Sequence, residues 1–173
     1  MNKREKFLID SNSLMTASRQ YYAQDIVPSF WTFLESKLKL GDILILDLVK
    51  DEIDKGDDFL KCWVDQHASE FVICKHVDQL TIEKYAEIMR YVQACGFYND
   101  VGFASWAQAN VADPWLIAAA ATYGHTIITF EQRSGNLSTK NKSKKVKIPD
   151  VADNFGVSVR DLYYMMRHMQ FKI

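Results

Sequence analysis

Four short, unbroken apolar runs constrain this chain more than any other feature. They are Phe7-Leu8-Ile9, Ile43-Leu44-Ile45-Leu46, Phe71-Val72-Ile73-Cys74 and Thr126-Ile127-Ile128-Thr129. A strand with one wet face alternates apolar and polar side chains, whereas a run apolar on both faces must be covered on both, as in a parallel sheet. Helical stretches separate the runs. Apolar residues at 26, 27, 30, 31, 33, 34 and 38 give a helical stripe from Ile26 to Leu40, closed by Gly41. Asp47 reads as the N-cap of a short helix ending at Gly56, and Asp57 as the cap of another carrying Phe59, Leu60, Trp63 and Val64. Further helices are expected over Leu80 to Cys95, Val101 to Ala109, and from Asp113-Pro114 through Ala121. Val146-Lys147-Ile148 reads as a fifth edge strand stopped by Pro149, and Ser158 as the cap of a final helix with Met165, Met166 and Met169 on its packed face. Alternating strands and helices predict a three-layer α/β/α sandwich around a mostly parallel sheet of four or five strands. At 173 residues and 48% hydrophobic, residues 1–173 suffice for one domain with a real core.

Composition excludes several classes. No apolar run reaches the length of a membrane span, and Phe7-Leu8-Ile9 is too short for a signal-peptide core, so a cytoplasmic protein is expected. Three cysteines (Cys62, Cys74, Cys95) with no Cys-x-x-Cys pair indicate neither a disulfide framework nor a zinc knuckle, and read as small buried apolar residues. The net charge of −1 conceals an asymmetry. Residues 131–173 carry nine Lys and Arg against four acids, giving +5, and residues 1–130 carry twelve against eighteen, giving −6. A basic tail third on an acidic body suits a polyanion approaching from one side; a solvated lysine loop explains the feature equally well.

Ligands of an open parallel sheet bind beyond the carboxyl ends of its strands, so the residues that follow each strand matter most. Asp10 follows the first and Glu131 the fourth, Glu52 stands one helical turn past the second, and Asp113 opens the helix that feeds the fourth. Each has a local explanation. Asp113 before Pro114 makes a favourable helix start, Asp10 can form an Asx turn, Glu52 belongs to an acidic face, and Glu131 lies in a polar loop. Together they are four carboxylates placed to meet at one rim. Such a group repels itself unless a cation neutralises it, and hard oxygen donors without His or Cys suit Mg²⁺ or Mn²⁺.

The chain resembles the PIN-domain ribonucleases, and within them a toxin-type subfamily. The resemblance is carried by Phe7-Leu8-Ile9-Asp10-Ser11-Asn12, the acid in Val49-Lys50-Asp51-Glu52-Ile53, Ala112-Asp113-Pro114-Trp115-Leu116-Ile117-Ala118-Ala119-Ala120 and Ile127-Ile128-Thr129-Phe130-Glu131, in matching order and spacing across almost the whole chain. Lys147-Ile148-Pro149-Asp150 and the Pro28-x-Phe30-Trp31 helix point to the subfamily. The resemblance implies an endoribonuclease using Mg²⁺ or Mn²⁺, with RNA as substrate, often the toxin of a toxin–antitoxin pair and commonly a homodimer. It implies Asp10, Asp113 and Glu131 as metal ligands, Glu52 completing the cluster directly or through water, and Asn12 and Thr129 orienting ligands beside the metal. The fourth position is often Asp in the superfamily and is Glu131 here; Asp51 competes with Glu52 for the second.

Lys140, Lys142, Lys144 and Lys145 follow Glu131 and are candidates for holding RNA phosphates; Ser134 and Asn136 are weaker candidates for substrate hydrogen bonds. Tyr21 and Tyr22 are candidates for base stacking, and equally for anchoring a loop. His67, His76, His125 and His168 show no metal-ligand spacing, and none is expected at a strand end on the rim. Trp31, Phe33, Trp63 and Trp115 read as core. An aspartyl-phosphate phosphatase resembling the haloacid dehalogenases would need a second Asp where Asn12 stands, and a receiver module would need a lysine after its last strand. The non-enzymatic alternative is a degenerate PIN-like module that binds RNA or a partner protein without cutting.

Overall fold

The computed structural model describes residues 4–173. Its centre is a five-stranded, wholly parallel sheet: β1 (Phe7–Ile9), β2 (Ile43–Leu46), β3 (Ile73–Cys74), β4 (Thr126–Ile128) and β5 (Val159–Arg160), in the order β3-β2-β1-β4-β5. Phe7, Leu8 and Ile9 pair with Ile43, Leu44 and Ile45 on one side and with Thr126, Ile127 and Ile128 on the other. All of β1, β2 and β4 is buried, so the continuous apolar runs are the strands covered on both faces.

Nine α-helices cover the described sheet: α1 (Ser11–Thr16), α2 (Pro28–Lys39), α3 (Asp47–Asp54), α4 (Phe59–His67), α5 (Gln79–Ala94), α6 (Asp100–Trp106), α7 (Asp113–Tyr123), α8 (Ile148–Ala152) and α9 (Leu162–His168). The chain moves outward from β1 through β2 to β3, then crosses back and continues through β4 to β5. Right-handed crossovers place helices of opposite travel on opposite faces. Accordingly α2 and α3 pack on β2, while α5 packs on α7 and α7 on β4. The three-layer sandwich expected from the sequence is the one observed.

Several local expectations are corrected. Where Asp10 could form an Asx turn, the chain instead starts α1 at Ser11, followed by a wide turn over Ala17–Tyr21. Asp58, not Asp57, caps α4, accepting a hydrogen bond from Lys61 N. Asp47 is already inside α3, and its carboxylate accepts from the backbone of His76 instead. Val146-Lys147-Ile148 is not a strand. Pro149 cannot donate to a ladder but suits the first turn of a helix, so the segment opens α8 and the fifth strand lies later, at Val159–Arg160. Asp161, not Ser158, caps α9 through Tyr164 N.

Packing follows the sequence reading more closely. Trp31 and Trp63 are buried edge-to-face, 5.0 Å apart. Half-buried Trp115 stacks on Tyr85, half-buried Phe33 packs on Phe171, and Met165 and Met166 are buried core. The cysteines depart from expectation, since Cys62 is exposed and Cys74 and Cys95 are only half-buried. Among the described residues, no helix is long and apolar enough to cross a membrane.

Candidate functional site

Travel across the sheet reverses between β1 and β4, and the crevice beyond the carboxyl ends of such neighbours is where open α/β sheets bind ligands. Asp10 and Thr129 leave the sheet there side by side, because Ile9 pairs with Ile128. Asp10 N donates to Ile128 O at 2.9 Å, and the Thr129 hydroxyl donates to Asp10 Oδ2 at 2.9 Å. Asn12, in the first turn of α1, reaches back across the switch point. Its Nδ2 donates to Thr129 Oγ1 at 3.1 Å and its Oδ1 accepts from Phe130 N at 3.2 Å. Glu131 N donates to the same Thr129 hydroxyl at 3.1 Å.

The two helix-borne acids complete the rim. Glu52 extends from α3 between the other elements. Its Oε2 accepts from the Ser11 hydroxyl, next to Asp10, at 2.6 Å, and its Oε1 accepts from Ala112 N, next to Asp113, at 3.3 Å. Asp51, the competing acid, points outward and is exposed. Asp113 does not serve as a cap: it is the first residue of α7, and the cap position, Ala112, offers no side-chain acceptor. Its Oδ2 accepts instead from the indole N–H of Trp106 at 3.1 Å. Glu131 Oε2 accepts from Ile148 N at 2.8 Å, which fixes the start of α8 against the rim.

The structure therefore gathers Asp10, Glu52, Asp113 and Glu131 from four separate stretches of chain, with Asn12 and Thr129 linking them. The electrostatics record the crowding. Burial, then the Asp113 charge, then Glu52 and Glu131 push Asp10 up to about 7 against the hydrogen bond from Thr129. Burial, then Glu131 and Glu52, push Asp113 up to about 7 against the Trp106 bond. Burial also raises Glu131, opposed by Ile148 N and Lys147. Among the described residues none of the four carboxylates is in an ion pair. Nor, among them, do three or more His, Cys, Asp or Glu side chains stand in a ligating arrangement around one point. Mutually repelling carboxylates turn to neutral N–H and O–H donors, and here each of the four does so. The donor set still fits a hard divalent cation: it is all carboxylate oxygen, buried at Asp10 and half-buried at the other three, with no ion pair and only Lys147, near Glu131, offsetting any of its negative charge.

Other expected residues are placed differently. The loop bearing Lys140, Lys142, Lys144 and Lys145 runs over the junction of α5 and α6, where Asn99 N donates to Ser143 O and Ser143 N to Phe97 O. A Cβ at Gly102 would meet Ser143 O at 3.0 Å, so glycine permits this close approach. The four lysines are exposed or half-exposed and have no ion-pair partner among the described residues. Ser134 N donates to Asp150, which spends its backbone on the loop fold. His76 does stand at the rim, past β3, with Nδ1 2.9 Å from Asp47 Oδ1 and its ring against Trp115. The tyrosine pair splits: Tyr22 stacks on Phe30 inside the fold, while Tyr21 is half exposed beside Phe130 and Tyr163.

Two residue groups escaped the sequence reading. Trp106, which holds Asp113, lies seven positions upstream in a helix with no motif of its own. Arg160, Arg167 and His168 border a cleft of about 790 Å³ beside Thr129 and Glu131. Only the charge asymmetry of the C-terminal third signalled them.

The fold has known counterparts. A chain in the crystal structure of VapBC2 from Rickettsia felis bound to a DNA fragment from its promoter superposes with a TM-score of 0.54 at 13% identity, over 90% of this chain and 97% of that one. A chain in the crystal structure of DNA-bound VapBC from Salmonella typhimurium gives a TM-score of 0.51 at 13% identity, over 91% and 98%. No curated protein matches the sequence. A family model described as a domain of unknown function, DUF4411, matches residues 7–173. The chain thus belongs to the DUF4411 family, and its fold is PIN-like.

Proposed function

We propose that this protein is a divalent-metal-dependent endonuclease that hydrolyses RNA phosphodiesters. The observation that carries this reading is the pair of carboxylates, buried Asp10 and half-buried Asp113, crowded at the strand-order switch point with no cationic side chain paired to them among the described residues. Asp10, Asp113 and Glu131 would hold Mg²⁺ or Mn²⁺, with Glu52 contributing directly or through water. A bound ion of this kind supplies an activated water and neutralises charge on the phosphate being cleaved. The chain's own part is orientation. Thr129 holds one oxygen of Asp10, Asn12 holds Thr129, and Trp106 holds one oxygen of Asp113, so the remaining oxygens are aimed by the fold. In this scheme the four carboxylates serve as ligands, and water is the nucleophile.

Because chains of the same fold occur in the VapBC complexes, we extend the proposal to a toxin role, with an antitoxin protein as partner and a homodimer as the working unit. A second reading, a non-cleaving module that binds RNA or a protein, is favoured by one observation: each carboxylate already has a protein hydrogen-bond donor. Incubation of total RNA with the purified protein decides between them. The nuclease reading expects cleavage with Mn²⁺, none with chelator, and none from a folded Asp10→Asn variant. Cleavage by Asp10→Asn equal to the wild type, or indifferent to metal, would overturn it.

A further inference from the structure

The cleft beside Thr129 and Glu131 lies between the carboxyl ends of β4 and β5 and helix α9. Its basic side chains differ in their engagements. Arg133 is committed to Asp153, and His168 stands 3.4 Å from Glu5. Arg160 meets no carboxylate among the described residues: its guanidinium lies 5.3 Å from the Tyr164 ring centre and donates to the carbonyl of Val159. The Arg167 guanidinium has no hydrogen-bond or ion-pair partner among the described residues, although its charge is felt by Tyr22. The one acid of α9 in the cleft, Asp161, spends its carboxylate on the cap. Two guanidiniums are thus left for an anion on the side of the rim where Glu131 stands.

A group of aromatic rings adjoins the cleft without lining it: the Arg167 charge acts on Tyr22, whose ring stands 6.5 Å from that of Tyr21. Tyr21, 49% exposed, meets Phe130 at 5.8 Å and Tyr163 at 6.2 Å, and those two meet each other at 6.1 Å. Phe130 sits between Thr129 and Glu131 of the carboxylate rim, and Tyr163 sits on α9 between Arg160 and Arg167 in sequence. A basic groove with an exposed ring beside it is the combination that holds single strands: guanidiniums track the phosphates and the ring takes an unpaired base. A duplex keeps its base faces stacked on each other and has none to offer Tyr21.

We infer that a single-stranded RNA reaches the carboxylates through this cleft, with Arg160 and Arg167 holding backbone phosphates on the Glu131 side and Tyr21 stacking on a base. The inference rests on the nuclease reading for its substrate. It assigns the strand's path to β5 and α9 in preference to the lysine loop over α5 and α6.

Fluorescence anisotropy with a labelled single-stranded oligouridylate, in chelator and at stepped salt, tests it on the full chain. The doubly substituted Arg160→Ala/Arg167→Ala variant is expected to bind about tenfold more weakly at low salt. Its log–log salt slope should be shallower by about 1.4, the value for two released single-strand phosphate contacts. Tyr21→Ala is expected to lose at least about fivefold with the slope unchanged. Arg160→Lys/Arg167→Lys should restore the slope, which a merely structural loss would not allow. A double arginine variant with wild-type affinity and slope overturns the inference. So does a loss confined to substitution of Lys140, Lys142, Lys144 and Lys145, or an equal loss for a matched RNA duplex. Failure of the nuclease reading looks different: Asp10→Asn then cleaves like the wild type while the arginine variant still loses binding.

Discussion

The molecule carries two populations of carboxylate, and the proposed site rests on the contrast between them. Away from the switch point, several acids are matched with cations. Arg19 beside Asp58 holds that carboxyl below its ordinary range, and Lys39 does the same for Glu70. Lys50 is shared by Asp54 and Asp65, and Arg133 is held by Asp153. At the switch point the reverse holds, with buried Asp10 and half-buried Asp113 crowded and pushed up to about 7. Folding gains nothing from packing like charges together in a dry crevice. Even the buried Asp42, away from the rim, keeps Arg4 and Lys37 as partners, so the crowding without ion pairs belongs to the switch point. The lesson is where to look in a sheet of this kind: at charge that the fold itself leaves unbalanced.

The strongest way to break the contrast is to remove a rim charge. Asp10→Asn should abolish RNA cleavage, by on the order of 10³-fold or more in rate, several kcal/mol of transition-state stabilisation. The same variant should melt at a higher temperature than the wild type at pH 8 in chelator. A lower melting temperature there would show that Asp10 is structurally compensated after all.

pH sharpens the comparison without mutation. Because Asp10 and Asp113 rise from 3.8 to about 7 on folding, the native state binds more protons than the unfolded chain between those values. Their contribution is fully present below 3.8 and is lost as pH rises through about 7. Metal-free protein should therefore lose stability between pH 5 and pH 8, and Asp10→Asn should flatten that part of the curve. A divalent ion should reverse the loss, adding about 2.7 kcal/mol at a hundredfold excess over its Kd, and adding more at pH 8 than at pH 5. Thermal melts across pH with and without Mn²⁺ measure both effects.

Smaller perturbations follow. Thr129→Val removes the hydroxyl that donates to Asp10 and accepts from Asn12 and Glu131. It should cost about tenfold in cleavage and move the acidic limb of the pH–rate profile upward, since a bond to the charged form is lost. Trp106→Phe, which removes the donor to Asp113, should cost about 1 kcal/mol in a denaturant melt and a few-fold in rate. Arg19→Ala breaks a pair on the exposed side of the contrast and should cost less than about 1 kcal/mol, with cleavage unchanged.

Much of this was legible in the sequence, for reasons that differ by residue. The β1, β2 and β4 runs announced themselves because strands covered on both faces must be apolar throughout. Asp10 and Glu131 could be placed because they directly follow such runs, and Asp113 because Pro114 marks the first turn of α7. The fifth strand was not legible: Val159–Arg160 is two residues long, without a burial pattern to distinguish it from a loop. Trp106 and the Arg160–Arg167 cleft carry no local signal either, since their roles arise from what packs beside them.

Local chemistry in the sequence determined the fold class and the order of the layers, and singled out the four acids proposed as ligands, because backbone geometry and burial act within a few residues of each position. Only the tertiary structure decided that Glu52 lodges between Ser11 and Ala112, that Asp113 is held by an indole and does not cap its helix, and that Tyr21 and Tyr22 part company. It also decided which basic side chains face the rim. Those outcomes depend on which crossovers lie on which face of the sheet, a long-range property that charge and hydropathy along the chain do not encode.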